Sequence, residues 1–247
     1  MAADFRRDGV RSPVPPVPLL VWDVLRAVVS ARVAATGRPA LDIVDVGGGT
    51  GGLAVPFAAL GHRVTVVDPS PDALAAAQRR AAEADARLTS VQGEAASLDS
   101  VVGPDAADLV ICHNVLEYVE EPADAMSAIA RVLRPSATVS VIASNAVAAV
   151  LHRALAGRFA EARRLLAGTA ACTPRRFTLP ELIALVEQAG LSAEKTYGLR
   201  IFGGLVPGAL LEGDAAATEA LRALEEAAAS TPPLRDIAAQ LHVLGHR

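Results

Sequence analysis

Asp45, Asp68, Glu94 and His113 are the residues of this chain best suited to chemistry, and each stands at or just after the end of a short apolar run. The first run, Ile43-Val44-Asp45-Val46, breaks into Gly47-Gly48-Gly49-Thr50-Gly51-Gly52. Glycine is needed where the main chain turns with positive φ, or where a ligand must approach the backbone closely. The pattern reads as a buried strand, a tight loop and a helix opening near Thr50. The first N–H groups of that helix would face an anionic or polar ligand. A nucleotide-like cofactor suits such a loop. Gly47, Gly49 and Gly52 satisfy G-x-G-x-x-G, and Asp68 follows at roughly the 20-residue spacing expected of an acid that holds a ribose hydroxyl.

The elements that must position these residues follow from the periodicity. Prolines 13, 15, 16 and 18 make residues 10–18 extended or irregular. A helix is expected over 19–35, with Trp22 as a core residue. Strands are expected over 41–46, 63–67, 87–92, 107–112 and 137–143, alternating with helices over 50–60, 71–85 and 122–133. These strands are apolar runs rather than polar–apolar alternations, which is the mark of a parallel sheet covered on both faces. Right-handed crossovers bring the strand C-terminal ends to one edge, where ligands bind. Residues 146–169 read as helical, 174–178 as a loop, 179–189 as a helix and 191–202 as a sixth strand. After a loop marked by Gly203, Gly204, Pro207 and Gly208 come a helix over 218–229 and a last strand over 240–245. The expected fold is a Rossmann-like, doubly wound, mostly parallel seven-stranded α/β sheet. The expected organisation is one domain over 1–247, with an N-terminal extension 1–18 and an insertion at about 146–178.

The glycines and Asp68 alone leave a dinucleotide and S-adenosylmethionine both open, since each presents a ribose diol. Three features favour the second. Asp45 puts a carboxylate at an apolar strand end, which is costly unless it organises the loop or meets a cation. S-adenosylmethionine carries an ammonium and a sulfonium, whereas a pyrophosphate would be repelled. Gly93-Glu94-Ala95 supplies an acceptor for an exocyclic amine. The third is the segment from Asp108 to Val119, DLVICHNVLEYV, followed by Leu133-Arg134-Pro135.

That ensemble resembles the class I S-adenosylmethionine-dependent methyltransferases over roughly residues 40–145. The resemblance implies that Gly47, Gly48, Gly49 and Gly51 line the methionine moiety beside Asp45. It places Asp68 and Pro69 at the ribose, Glu94 and Ala95 at the adenine, and His113 near the transferred methyl. The usual proline-glycine-glycine is here Pro135-Ser136-Ala137. Beyond the fifth strand, Ser144-Asn145-Ala146, 151–159 and 198–202 look like the bacterial tRNA 5-carboxymethoxyuridine methyltransferases, as do Leu60-Gly61-His62-Arg63-Val64, His113-Asn114-Val115-Leu116-Glu117 and Leu241-His242-Val243. The implied nucleophile is a carboxylate, ionised at neutral pH, so no general base is required. Arg200, at a strand end beside Phe202, is the expected grip on the acceptor.

A tRNA partner needs positive charge. Arg153, Arg158, Arg163, Arg164, Arg175 and Arg176 stand in 151–178 against one acid, Glu161, in a chain of net charge −4. Arginine outnumbers lysine so heavily (Lys195 is the only lysine) that composition explains part of this cluster. A small carboxylate or hydroxyl metabolite is the alternative acceptor. A nicotinamide-dependent oxidoreductase is the more distant alternative, and Lys195 with Tyr197 is poorly spaced for its chemistry. Cys112 and Cys172 form neither a disulfide framework nor a metal site. No apolar run reaches the ~20 residues of a membrane span, and no secretory leader is visible. A reduced, cytoplasmic protein with no metal is expected. Residues 203–235, including Glu212–Arg222, could cover the site or form an interface.

Overall fold

The computed structural model describes residues 19–168, 174–206 and 215–247. The extended segment expected over 10–18, Cys172, and Pro207, Gly208 and Glu212 of the later loop lie outside them. The centre is a seven-stranded sheet of order β3-β2-β1-β4-β5-β7-β6. Its strands are β1 (Asp42–Val46), β2 (Arg63–Asp68), β3 (Leu88–Gln92), β4 (Ala107–His113), β5 (Leu133–Ser144), β6 (Ser192–Leu199) and β7 (Gln240–His246). β1 to β5 pair in parallel. β7 runs antiparallel to both β5 and β6. The C-terminal ends of β1 to β6 therefore share one edge with the start of β7.

Two apolar layers cover the sheet. α1 (Leu19–Thr36), α2 (Ala54–Ala59) and α3 (Pro71–Glu83) bury Val21, Leu25, Phe57 and Leu74 against Ile43, Leu109, Ile111 and Ile142. Trp22 packs there on Phe57, ring centroids 4.8 Å apart. On the other face α4 (Leu98–Val102), α5 (Pro122–Val132) and α8 (Leu179–Gln188) bury Leu98, Met126, Ile129 and Leu182 against Val44, Val110, Val139 and Val243. Strand residues alternate between the two layers, so Asp45 and His113 project toward the α1 side with Ile43 and Ile111.

Several expected boundaries move for identifiable reasons. α2 begins at Ala54 rather than Thr50, because residues 49–53 are taken up by turns. β5 begins at Leu133, ahead of the expected 137, because Leu133 already pairs with Ala107 before an irregularity in the register. The helix expected over 146–169 is two helices, α6 (Ala146–Leu155) and α7 (Phe159–Leu166), separated at Gly157, whose φ is 72°. β6 stops at Leu199, short of 202, because Arg200 takes a left-handed φ of 57°. α9 (Ala215–Ala228) precedes the final strand.

At the N-terminal edge of the strands, Asp108 is fully buried and receives Arg32 at 3.2 Å, Arg38 at 2.9 Å and Arg134 at 2.9 Å. The neighbouring Asp42 pairs with Arg38, Arg63 and Arg134. This arginine clamp joins α1, β1, β4 and β5 at the edge away from the glycine loop.

Candidate functional site

The loop after β1 is shaped by alternating left-handed glycines, with φ of 63° at Gly47, 55° at Gly49 and 78° at Gly51. Gly47 N–H donates to Val67 O at 2.7 Å and Gly51 N–H to Gly48 O at 2.9 Å. A side chain at Gly47 would run into Val115 Cγ2, and one at Gly48 would meet Asp45 Oδ2 at 2.6 Å. The six-residue α2 begins only after Leu53, which supplies no side-chain cap, and Gly47, Gly48, Gly52 and Leu53 line the edge of the sheet ahead of it.

Asp68 holds this loop from β2. Its Oδ2 accepts from Gly49 N–H and its Oδ1 from Ser70 N–H, both at 2.9 Å. Each carboxylate oxygen keeps a second acceptor site. Asp45 is almost fully buried. Burial first, and the charge of Asp68 second, raise its pKa to about 7, against the opposing backbone hydrogen bond from Ala54. A carboxylate left in that condition is suited to meeting a cation.

Two pockets open at this edge. One, of about 680 Å³, is lined by Gly47, Asp68, Pro69, Glu94, Ala95 and Tyr118 among others. The other, of about 180 Å³, lies on the α1 side and is lined by Asp45, Gly47, Gly48, His113, Leu199 and Gln240 among others. Gly47 and Asn114 line both. Glu94 is exposed, at the rim rather than the base. No arginine or lysine lines either pocket among the described residues, while Asp45, Asp68, Glu94, Glu120, Glu121 and Asp124 do. Such a lining opposes a pyrophosphate and fits a cationic cofactor with a ribose diol, which is the chemistry of S-adenosylmethionine.

Two lining residues receive no role from the motifs, although Asn114 stands inside one of them. Asn114 has a left-handed φ of 55° and accepts from Gln240 Nε2 at 2.6 Å. Asparagine is among the residues that tolerate this conformation, so its place immediately after an apolar strand was the available signal. Gln240 lacked one, because its approach depends on the antiparallel return of β7.

His113 Nε2 lies 2.8 Å from Ser140 Oγ, which lies 2.8 Å from His242 Nε2. Burial, and then His242, hold the pKa of His113 well below the ordinary imidazole range. Arg200 does reach the same edge, but it is exposed and lines a separate cavity of about 300 Å³ between α1 and α9. The turn that carries it away is fixed by Glu225, which accepts from the N–H groups of Ile201, Phe202 and Gly203. Leu199 lines both this cavity and the smaller pocket.

The basic segment is partly neutralised. Arg153 and Arg158 both pair with Glu161, at 3.1 and 3.0 Å. Arg175 donates from its backbone to Glu117 O and from Nη2 to Glu120 O. Arg175 and Arg176 share a groove with Glu121, which also lines the larger pocket. Among the described residues no group of His, Cys, Asp and Glu could hold a metal ion. No helix there is long and apolar enough to cross a membrane.

Comparison with known proteins agrees with this geometry. A methyltransferase domain model matches residues 44–141. The tRNA 5-carboxymethoxyuridine methyltransferase of Escherichia coli K12 is 31% identical over 57% of this chain, which spans only 52% of that relative's length. The ubiquinone biosynthesis O-methyltransferase of Xanthomonas euvesicatoria is 32% identical over 69% of this chain and 70% of its own. A solved S-adenosylmethionine-dependent methyltransferase from Mesorhizobium loti superposes with a TM-score of 0.58 at 21% identity, over 92% of this chain and 97% of its own. Magnesium protoporphyrin IX methyltransferase from Synechocystis gives a TM-score of 0.55 at 19% identity, over 90% and 82%. The chain belongs to the class I S-adenosylmethionine-dependent methyltransferases.

Proposed function

We propose that the methyl acceptor is a carboxylate oxygen, and that it belongs to 5-carboxymethoxyuridine in tRNA. One observation carries the first half: His113, the histidine that lines the smaller pocket among the described residues, is tied through Nε2 to the buried Ser140 and His242, and burial lowers its pKa well below the ordinary imidazole range. A general base works best with a pKa near the operating pH, so His113 is a poor one. A phenol or alcohol would need a base, and Asp45, the other titratable group of this pocket, is assigned to the cofactor's charge, whereas a carboxylate is already ionised and needs only to be aligned.

In this reading S-adenosylmethionine, when bound, supplies a methyl group on a sulfonium. Gly47, Gly48, Gly49 and Gly51 cradle it, Asp68 and Pro69 take the ribose, and Glu94 and Ala95 border the adenine. Asp45 balances its positive charge. His113 and Asn114 border the acceptor side, and 146–178 serves as the substrate-recognition insertion. Arg175 and Arg176, beside the larger pocket, and the exposed Tyr118 support a polynucleotide acceptor. So does the likeness to the tRNA enzyme.

A second reading, a small hydrophobic phenol or carboxylic acid, is favoured by the largely apolar cavity beside Leu199 and by the O-methyltransferase relatives. In that reading Arg200, which lines the cavity, meets the acceptor. Mass spectrometry of tRNA nucleosides decides between them. The expected result is loss of the uridine methyl ester in a deletion strain and its restoration when purified protein and S-adenosylmethionine are added to that tRNA. Unchanged nucleosides would sink the tRNA reading.

A further inference from the structure

His113, Ser140 and His242 stand on the neighbouring strands β4, β5 and β7 and point to the same face of the sheet. Ser140 and His242 are completely buried. One serine hydroxyl joins the two Nε2 atoms, each at 2.8 Å. A hydroxyl carries a single proton, so it donates to one neutral histidine and accepts from the other. Only two arrangements of the chain are then available.

The far end selects between them. His242 Nδ1 is buried with no hydrogen-bond partner. Its surroundings offer little: Tyr197 on β6 contacts the ring from 5.7 Å, and Thr138 on β5 is engaged with His246. Asp45, the carboxyl of this face on β1, is engaged by the backbone of Ala54. A buried N–H without an acceptor is rarer and costlier than a buried lone pair without a donor. The His242 proton therefore belongs on Nε2, which donates to Ser140. Ser140 then donates to His113 Nε2, and the proton of His113 is left on Nδ1.

We infer that His242 and Ser140 act as positioning residues that fix His113 as an Nδ1–H donor to the acceptor pocket it lines, so that the site takes an acceptor oxygen that is already an anion. This rests on the reading that the smaller pocket receives the methyl acceptor. The fixed donor would hold a carboxylate by one oxygen while the other meets the methyl group. It would offer an un-ionised phenol no proton acceptor at His113.

Long-range proton–nitrogen NMR of the ¹⁵N-histidine-labelled full chain tests the inference without any acceptor. His113 is expected to show a protonated Nδ1 and a bare Nε2 at pH 7, and His242 the reverse. A bare Nδ1 on His113 would overturn the assignment. Ser140→Ala should convert His113 to a mixture of tautomers, while S-adenosylhomocysteine affinity by calorimetry changes less than about twofold. The same variant should lower kcat on unmethylated tRNA by about five- to tenfold, the size of one lost hydrogen bond. An unaltered His113 tautomer in Ser140→Ala would also overturn the relay. Failure of the tRNA reading appears separately, as the absence of methyl ester with the wild-type protein.

Discussion

Asp45 is the residue at which stability and ligand binding oppose one another. Its pKa is raised from 3.8 to about 7, by burial more than by Asp68. The folded chain thus keeps a proton that the unfolded chain has released. Stability in the absence of ligand should fall as pH rises from about 4 to about 7 and level off above, by on the order of 4 kcal/mol at most. A cationic cofactor reverses the balance by favouring the carboxylate. Calorimetry with S-adenosylmethionine should show proton release near pH 7 and affinity rising from pH 6 to 8. Asp45→Asn should raise the ligand-free Tm at pH 8 and weaken cofactor binding; a variant with unchanged Tm and affinity would show that the carboxylate carries no such burden. Asp68→Ala works differently, because it releases Gly49 and Ser70 N–H groups as well as any ribose contact. Its expected effect on S-adenosylhomocysteine binding is a loss of a few kcal/mol at most, since hydrogen bonds to charged groups contribute ~1.5–3 each.

Between elements, the two edges of the sheet do separate work. The C-terminal edge is built from left-handed glycines, and Gly47→Ala would combine a disfavoured φ of 63° with a clash on Val115. Loss of at least about 2 kcal/mol is expected, from the left-handed backbone and the overpacking together, read as a lowered urea midpoint. The opposite edge is closed by Asp108, and Asp108→Ala would leave Arg32 without its carboxylate partner and Arg38 and Arg134 with Asp42 alone, around a vacated buried site. About 3 kcal/mol is expected there, with the cofactor site spared; equal loss of S-adenosylhomocysteine affinity would contradict that separation. The apolar runs of β1 to β5 and the acids at their ends were legible because each depends on local order along the chain. The start of α2 was not, since the turns that follow Gly47 use up residues that a helix pattern would claim. Arg134 was visible only as part of a Leu-Arg-Pro motif, because its partners Asp42 and Asp108 come from other strands. The Ser140–His242 contact was likewise hidden: two polar residues inside apolar runs were a signal, but their meeting depends on β7 returning antiparallel beside β5. Arg200 was read correctly as a strand-end residue, and the turn held by Glu225 moved it to the next cavity.

At the scale of the whole molecule, charge decides how an acceptor as large as tRNA could be held. The chain is acidic overall, and Glu120, Glu121 and Asp124 line its larger pocket. Polynucleotide binding must therefore come from a local face, not from a general attraction. Arg153 and Arg158 are already committed to Glu161. Arg163, Arg176 and Arg175, whose Nη2 also donates to Glu120 O, form the outward-bearing set, on α7 and on the segment that crosses beside Glu117 and Glu120. Three phosphate contacts give a salt slope of about −2.7 in log K against log salt for double-stranded regions. Binding of unmethylated tRNA should then weaken roughly 40-fold between ~50 and ~200 mM salt. Replacing Arg175 and Arg176 together by alanine should reduce that slope by about 2 without altering S-adenosylhomocysteine affinity. A flat salt response, or undiminished tRNA binding by the double variant, would remove the polynucleotide. The same methyl-transfer site would then serve a small acid entering past Leu199, where salt has little to screen.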